Sequence, residues 1–501
     1  MQSEKYIGAL DQGTTGTRFI VFDRASRPVA QAYLEHRQLY PHPGWVEHDP
    51  AEIWENARRV IDQALRQADL RSEELVAIGI SDQRETTVVW ERKTGRPLYH
   101  AIVWQDRRTA VRCAELRALG YQELVRERTG LSLDPYFSAT KLEWLLQNVA
   151  GLREQAERGQ ACFGTIDSWL IWQLTGQHIT DYTNASRTML FDIHRLAWDE
   201  DLLDLFGIPP QMLPEVRPSS EPDFYGRAHT FGHVPVCGDL GDQQAALFGQ
   251  LAWEAGEAKN TYGTGLFLLL NTGRRVVKSQ HGLLTTIAGA PPGEQVSYAL
   301  EGSVFAGGAL VQWLRDGLGI IEQAAQTEEL ALSVADTGGV YFVPALAGLG
   351  APYWDPYARG LIIGLTGGSG RAELVRAALE AMAYRTRDVV QAMEADADLV
   401  FGELKVDGGA AANNFLCQFQ SDILGIPVLR AAGLEATALG AAYAAGLAVG
   451  YWTDKRELQA SRKIERVFTP QMTVERRAAL YRGWLRAIER SRGWAKEEQA
   501  R

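Results

Sequence analysis

The sequence predicts an α/β protein built as two similar domains with a cleft between them. Its 501 residues, 46% of them hydrophobic, exceed what one core normally organises, so two domains are expected. Both halves open in the same way. Tyr6-Ile7-Gly8-Ala9-Leu10 and Phe19-Ile20-Val21-Phe22-Asp23 read as two apolar strands around a Gly/Thr turn, and Ala258 to Leu270 repeats that pattern, which indicates an internal duplication. Two further strands, Val76-Ala77-Ile78-Gly79-Ile80 and Leu404-Lys405-Val406, run into polar groups, as in open sheets that gather ligands at strand ends. The domains are placed at residues 1–250 and 251–501.

The first turn, Asp11-Gln12-Gly13-Thr14-Thr15-Gly16-Thr17-Arg18, offers glycine backbone and threonine hydroxyls to phosphate oxygens. Asp11, at the strand end, suits a hydrated magnesium ion. Alone, this turn would read as an ordinary hairpin. Its recurrence at Tyr262-Gly263-Thr264-Gly265 favours a phosphate chain clamped between the halves. Asp49-Pro50-Ala51-Glu52 starts a helix with an N-cap, a proline at the first helical position and a capping-box carboxylate. The stretch from Pro214 to Phe231 reads as an exposed connection, and Gly238-Asp239-Leu240-Gly241-Asp242-Gln243-Gln244 as a glycine-broken loop between a short strand and a helix. Asp242 would then stand on a strand-to-helix corner as a candidate general base. Helices are expected over 371–395 and 413–424, the latter with its N-terminus suited to an adenosine or phosphate group. Ala436 to Trp452, rich in Ala and Gly, suits a tightly packed core helix better than a bilayer span.

Composition narrows the partners. A net charge of -11 with no Lys/Arg block speaks against nucleic acid and anionic membranes. The four cysteines are scattered without a Cys-x-x-Cys pair, which argues for reduced core residues in a cytoplasmic protein rather than a disulfide framework or zinc site. The N-terminus shows no signal segment, so neither export nor membrane insertion is expected. Walker and dinucleotide-binding glycine motifs are both missing.

Seven segments carry a family resemblance: Asp11-Gln12-Gly13-Thr14-Thr15, Asp82-Gln83-Arg84-Glu85-Thr86-Thr87, Ala101-Ile102-Val103-Trp104-Gln105, Asp134-Pro135-Tyr136-Phe137-Ser138, Gly241-Asp242-Gln243-Gln244-Ala245-Ala246-Leu247-Phe248-Gly249-Gln250, Asn260-Thr261-Tyr262-Gly263-Thr264-Gly265 and Val406-Asp407-Gly408-Gly409. In this order and over nearly the whole chain, they resemble the FGGY carbohydrate kinases, in particular the members that phosphorylate glycerol. The resemblance implies two ribonuclease H-like domains of the actin-like ATPase type, with the catalytic cleft between them. It also implies glycerol and ATP as substrates, ADP as product, Mg2+ as cofactor and a homo-oligomer, dimer or tetramer.

On that resemblance Asp242 takes the proton of the attacking hydroxyl. Aspartate, with an ordinary pKa of about 3.9, is a weak base near neutrality, but phosphoryl transfer is largely dissociative and asks mainly for positioning. Arg84, Glu85, Tyr136 and Gln243 would bind the hydroxyls, while Trp104 and Phe267 would cover the carbon chain. An exposed ion pair is the plain alternative for Arg84 and Glu85, and simple core packing for the two aromatics. Thr14, Thr15, Gly16, Arg18 and Thr264 match phosphate positions; Gly308, Gln312, Gly409 and Asn413 match nucleotide positions. Close backbone approach would explain Gly307 and Gly308.

The chain departs from the family pattern chiefly where regulation occurs. Gly226 to His233 lacks the Gly-Gly-Thr-Arg loop through which some relatives bind fructose bisphosphate. His229 stands where, in others, the phosphocarrier of the sugar phosphotransferase system phosphorylates a histidine. An ordinary loop histidine is the competing reading, and the shorter spacing to Val234-Pro235 weighs toward it. Gly16 replaces the usual serine and Leu240 a common alanine, with small effects expected. A kinase for another polyol or ketose on the same scaffold, and an ATP-driven switch module without sugar chemistry, are the competing functions.

Overall fold

The computed structural model describes residues 4–222, 225–433 and 435–496. The first half is organised on a six-stranded sheet. Its strands are β1 (Tyr6–Gln12), β2 (Gly16–Phe22), β3 (Pro28–Glu35), β4 (Leu75–Asp82), β5 (Arg227–Ala228) and β6 (Val234–Gly241), in the order β5-β6-β4-β1-β2-β3. Strands β1 and β2 pair antiparallel, as do β2 and β3, whereas β1–β4 and β4–β6 are parallel. Helix α1 (Pro50–Gln67) begins with the predicted N-cap and proline, Asp49 accepting from the Ala51 amide at 2.9 Å, but the predicted capping box is not formed because Glu52 accepts from Arg37 instead. Its apolar side, Ile53, Ala57, Val60, Ile61 and Ala64, is buried with the indole rings of Trp90 and Trp169 in one core cluster. Helix α2 (Ile166–Thr175) contributes to that cluster, and α3 (Asp242–Gly249) follows β6.

The second half repeats the plan. It comprises β7 (Ala258–Tyr262), β8 (Leu266–Gly273), β9 (Leu284–Gly289), β10 (Ser297–Val304), α4 (Gly308–Gln312), α5 (Arg371–Ala397), β11 (Leu404–Asp407), α6 (Asn414–Leu424), β12 (Val428–Ala431), α7 (Ala436–Ala448), β13 (Ile464–Phe468) and α8 (Val474–Ser491). The sheet order is β9-β10-β8-β7-β11-β12-β13. Within it β10-β8-β7-β11-β12 reproduces β3-β2-β1-β4-β6, antiparallel twice and then parallel twice. The duplication inferred from the two hairpins therefore extends to the whole sheet. Strand β13, with four of five residues exposed, lacks the apolar pattern by which strands are recognised and was not expected from sequence.

One helix crosses over. Ala-rich α7 belongs to the second half of the chain but is buried with Ile7, Ala9, Ala77 and Leu240 of the first sheet. Glycine permits the approach: a Cβ on Gly79 would lie 1.9 Å from the Ala441 carbonyl oxygen, and one on Gly440 would lie 1.8 Å from that of Ala245 in α3. A Cβ on Gly238 would meet the same helix, 2.7 Å from the Ala445 nitrogen. The expected loop over 238–244 is accordingly absent: β6 runs unbroken to Gly241 and α3 starts at Asp242, because these glycines serve close packing rather than a turn. The stretch before β6 is also less exposed than expected, since Ser219, Ser220 and Tyr225 are buried and Ser220 donates to the Ala444 carbonyl.

Gly440→Ala tests the crossing. Alanine gains about 1 kcal/mol of helix propensity, but backbone cannot yield as a side chain does, and overpacking costs about 3 kcal/mol or more. A net loss of about 2 kcal/mol is expected as a lower urea midpoint; an unchanged or raised midpoint would show that α3 and α7 are not packed this tightly.

All four cysteines are buried, as expected of core residues. Among the described residues no helix is long and apolar enough to cross a membrane.

Candidate functional site

Three parallel strands bring the first set of polar groups together. The β1–β4 register places Asp11 opposite Ser81, and the β4–β6 register places Asp82 opposite Gly241. Asp11, Arg84-Glu85 and Asp242 therefore leave the sheet at one edge. Glu85 adopts a left-handed backbone, φ 62°. Such a conformation is uncommon for a non-glycine residue and is held by the surrounding contacts.

Arg84 and Glu85 are 2% and 1% exposed, which removes the reading of a surface ion pair. Arg84 Nε lies 3.0 Å from Asp242 Oδ1, and its Nη1 donates to Glu301 Oε2 at 2.6 Å and to Gln244 Oε1 at 3.1 Å. Glu85 Oε1 accepts from Arg187 Nε at 2.7 Å, while Arg187 Nη2 donates to Glu301 Oε1 at 3.0 Å. Two guanidinium groups thus alternate with buried carboxylates from both halves of the chain. Burial alone would raise the Glu301 carboxyl, but Arg187 and Arg84 outweigh it and pull it down to about 2.

Asp242 is the first residue of α3 and remains partly accessible, with its side chain 31% exposed. The Gln243 amide donates to Oδ1 at 2.7 Å and Gln243 Nε2 to Oδ2 at 3.2 Å. Gln243 is oriented in turn by buried Lys259, whose Nζ donates to its Oε1 at 2.5 Å, to Thr261 Oγ1 at 2.9 Å and to the Phe267 carbonyl at 3.2 Å. Burial pushes the Lys259 ammonium down to about 8. Asp11 accepts from Ser81 Oγ at 2.8 Å, and burial raises its carboxyl, with Asp242 adding to the rise and Arg18 opposing it. The pair of carboxylates makes a negative spot that suits a hydrated dication.

The apolar wall is formed by aromatic rings. Trp104 meets Tyr136 edge-on at 5.6 Å and Phe267 at 6.5 Å, and its indole N–H donates to Thr14 Oγ1 at 2.9 Å. Neither Trp104 nor Phe267 is fully buried core. Trp104, Tyr136, Thr264 and Phe267 line one cavity of about 910 Å³.

The second hairpin turn is gripped from one side by Gly308, whose amide donates to the Gly263 carbonyl at 2.8 Å, and from the other by Gly408, where a Cβ would lie 2.6 Å from the Tyr262 oxygen. Gly307 is equally tight, with a Cβ position 2.8 Å from Gly265 backbone, the close approach anticipated for this pair. Gln312 ends α4 and is exposed; Gly409 is open; Asn413 caps α6 through the Leu416 amide at 2.9 Å. Thr264 and Thr15 are exposed at the two turns. Gly16 is explained by Tyr33, whose hydroxyl would lie 2.6 Å from a Cβ there. Arg18 pairs with Glu435 across the chain halves. His229 lies apart from these groups, exposed after edge strand β5, with Nε2 2.9 Å from the Thr175 carbonyl oxygen.

Arg187, Glu301 and Lys259 were missed from sequence. Glu301 and Lys259 carried a signal, since each is a charged residue within a strand otherwise patterned for burial.

The profile described as "FGGY family of carbohydrate kinases, N-terminal domain" matches residues 6–249, and its C-terminal counterpart matches residues 258–449. "Glycerol kinase 2" of Thermotoga maritima is 58% identical over 495 residues, covering 98% of this chain and 100% of that protein. The glycerol kinase of Carboxydothermus hydrogenoformans is 59% identical over 502 residues, 99% of this chain and 100% of that one. Among solved structures, Plasmodium falciparum glycerol kinase with ADP is similar with a TM-score of 0.91 at 36% identity, over 97% of this chain and 98% of that chain. A xylulose kinase from Lactobacillus acidophilus, at 22% identity and a TM-score of 0.85 over 99% of this chain and 98% of that chain, shares the fold.

Proposed function

Because the chain belongs to the FGGY family of carbohydrate kinases, we infer that it transfers the γ-phosphoryl group of ATP to glycerol, yielding glycerol 3-phosphate and ADP. The observation that carries this is the half-open Asp242, held by Arg84 and Gln243, with Lys259 linking Gln243 to the Phe267 carbonyl in the Trp104–Tyr136–Phe267 wall. A triol needs such a site: fixed polar groups on its hydroxyl side and rings on its CH side.

In this reading the terminal hydroxyl of glycerol donates to Asp242, which accepts the proton as the oxygen attacks phosphorus and the β–γ bridging bond breaks. Arg84, Glu85, Tyr136 and Gln243 hold the hydroxyls. Thr14, Thr15, Gly16, Arg18 and Thr264 receive the phosphates from the two hairpins, and engagement of Arg18 requires that its pair with Glu435 opens. Gly308, Gln312, Gly409 and Asn413 border the nucleotide. Asp11 would hold Mg2+, and the ion would offset phosphate charge. Residues 1–250 supply the glycerol side and the first phosphate hairpin, and residues 251–501 the nucleotide side, with α7 lodged on the first sheet. A cytoplasmic location and a homo-oligomer, dimer or tetramer, complete the proposal. His229 is the position at which the phosphocarrier of a sugar phosphotransferase system would act, although a plain loop histidine is the weightier of the two readings.

The test is ADP release with ATP and magnesium over glycerol, dihydroxyacetone, xylulose, ribulose and gluconate. Glycerol is expected to give the highest kcat/KM. Preference for a ketose or gluconate would change the substrate, and release indifferent to every polyol would sink the kinase reading.

A further inference from the structure

The turn of the first hairpin is held from behind by a line of polar side chains. The Gly13 carbonyl accepts from Gln12 Nε2 at 2.8 Å and from Gln83 Nε2 at 3.3 Å. The Thr14 carbonyl accepts from Gln38 Nε2 at 2.9 Å, and the Thr15 carbonyl from the His36 amide at 3.2 Å. Between Gln38 and Gln83 stands His48, its Nε2 2.8 Å from Gln38 Oε1 and its Nδ1 3.3 Å from Gln83 Nε2. The His36 ring meets that of His48 edge-on at 4.4 Å and also faces the Thr14 backbone. His48, Gln12 and Gln83 are buried, whereas Thr15 is exposed. The turn thus lies at the surface with its carbonyls drawn inward.

The direction of each bond in this line is fixed from its end. A carbonyl only accepts, so Gln38 presents its NH2 to Thr14 and its Oε1 to His48. His48 must then donate through Nε2, which leaves Nδ1 to accept from Gln83. Burial first, then the neighbouring His36, push His48 down to about 3, so the ring stays neutral and keeps this one tautomer. Gln83 is locked in turn, because its Oε1 accepts from Thr86 Oγ1 at 3.1 Å and its NH2 is left for Gln12, Gly13 and His48. The ring is anchored where it stands by the antiparallel pairing of Glu47–His48 with Ala101–Ile102.

We propose that His48, acting through Gln38, is a positioning residue for the first hairpin, turning the Thr15 amide toward the phosphate chain of the nucleotide. The role rests on the ATP-dependent transfer inferred for this chain. In a trans peptide the C=O and the following N–H point in opposite directions. A Thr14 carbonyl tied into the interior therefore presents the Thr15 N–H outward, and the Gly13 carbonyl, tied to Gln12 and Gln83, does the same for the Thr14 N–H. If the peptide after Thr14 flipped, a carbonyl oxygen would replace a donor and repel phosphate. Donors fixed before the ligand arrives are what a phosphate cradle requires.

The test is calorimetric titration of the full chain with magnesium and a nonhydrolysable ATP analogue, alongside steady-state KM for glycerol. His48→Asn is too short to reach Gln38, and the analogue is expected to bind it about 10-fold more weakly, with a much smaller change in glycerol KM. His48→Gln places an amide NH2 near the position of Nε2 and should restore most of the loss. Gln38→Leu, at a half-buried position, should match His48→Asn, and the double variant should be no weaker than either alone, because each breaks the same line of bonds. Unchanged affinity in Gln38→Leu, whether or not His48→Asn folds, overturns the proposal, as do losses that add in the double variant or a loss in His48→Gln equal to that in His48→Asn. A wild-type chain that binds no nucleotide would remove the kinase reading and this role with it; wild-type affinity that survives the variants removes this role alone.

Discussion

Replacing Asp242 by asparagine is expected to lower glycerol-dependent kcat by about 10²- to 10⁴-fold, with ATP binding retained. The substitution keeps the shape and leaves an oxygen able to accept from Arg84 Nε and the Gln243 amide. It removes the proton acceptor. It also turns an amide NH2 toward Gln243 Nε2, which donates to Oδ2 at 3.2 Å in the wild type. Gln243 cannot relieve that donor–donor contact by flipping without losing its bond to Lys259, because Lys259 is a donor and requires the oxygen. The defect should therefore fall mainly on kcat, since phosphoryl transfer depends on alignment. Coupled ADP assays and nucleotide titration of the same preparation measure both parts. Retention of more than about a tenth of wild-type kcat would contradict a base at Asp242, given the usual size of such contributions.

The legible parts of this protein are those with local signatures. The hairpin turns at Gly13 and Gly263, the Asp49 cap and the Ala-rich helix over 436–448 all follow from residues adjacent in sequence. Asp242 was legible as a carboxylate on a strand-to-helix corner, Arg84 and Glu85 came through the resemblance, and the strand registers explain how they are brought together. What stayed hidden depends on contacts distant in sequence. Gly238 looked like a loop residue because nothing near it reveals that α7 will lie against β6 some 200 residues later, and Gly241 because nothing near it reveals that the Arg84 side chain packs on it. Arg187, Glu301 and Lys259 share that limitation. A charge within a strand shows that a partner is required but does not show which one, so the pairing of Arg84 with Glu301, 217 residues apart, emerges only in the fold.

That pairing yields the other large expected effect. Glu301 is fully buried and accepts from Arg84 Nη1 at 2.6 Å, Arg187 Nη2 at 3.0 Å and Ser303 Oγ at 3.1 Å. Glu301→Gln keeps the volume but leaves two buried guanidinium groups facing Glu85 and the half-open Asp242. Breaking a buried ion pair from one side costs about 3–5 kcal/mol, and the urea midpoint near neutral pH should fall accordingly. Glycerol KM should rise as well, because Arg84 would lose the anchor that holds it beside Asp242. The pH dependence separates the charge effect from simple misfit. The folded-state value of about 2 lies below the ordinary glutamate value of 4.5, so the unfolded chain binds this proton more readily. The stabilisation is thus complete above the ordinary value and is lost as pH falls from there through about 2. Wild-type stability should decline through this acid range, while the decline in Glu301→Gln should be shallower and the difference between the two proteins should narrow. Equal slopes for the two proteins between pH 5 and 3, about the window in which an unfolded glutamate titrates, would mean that Glu301 does not carry the charge that holds Arg84 and Arg187.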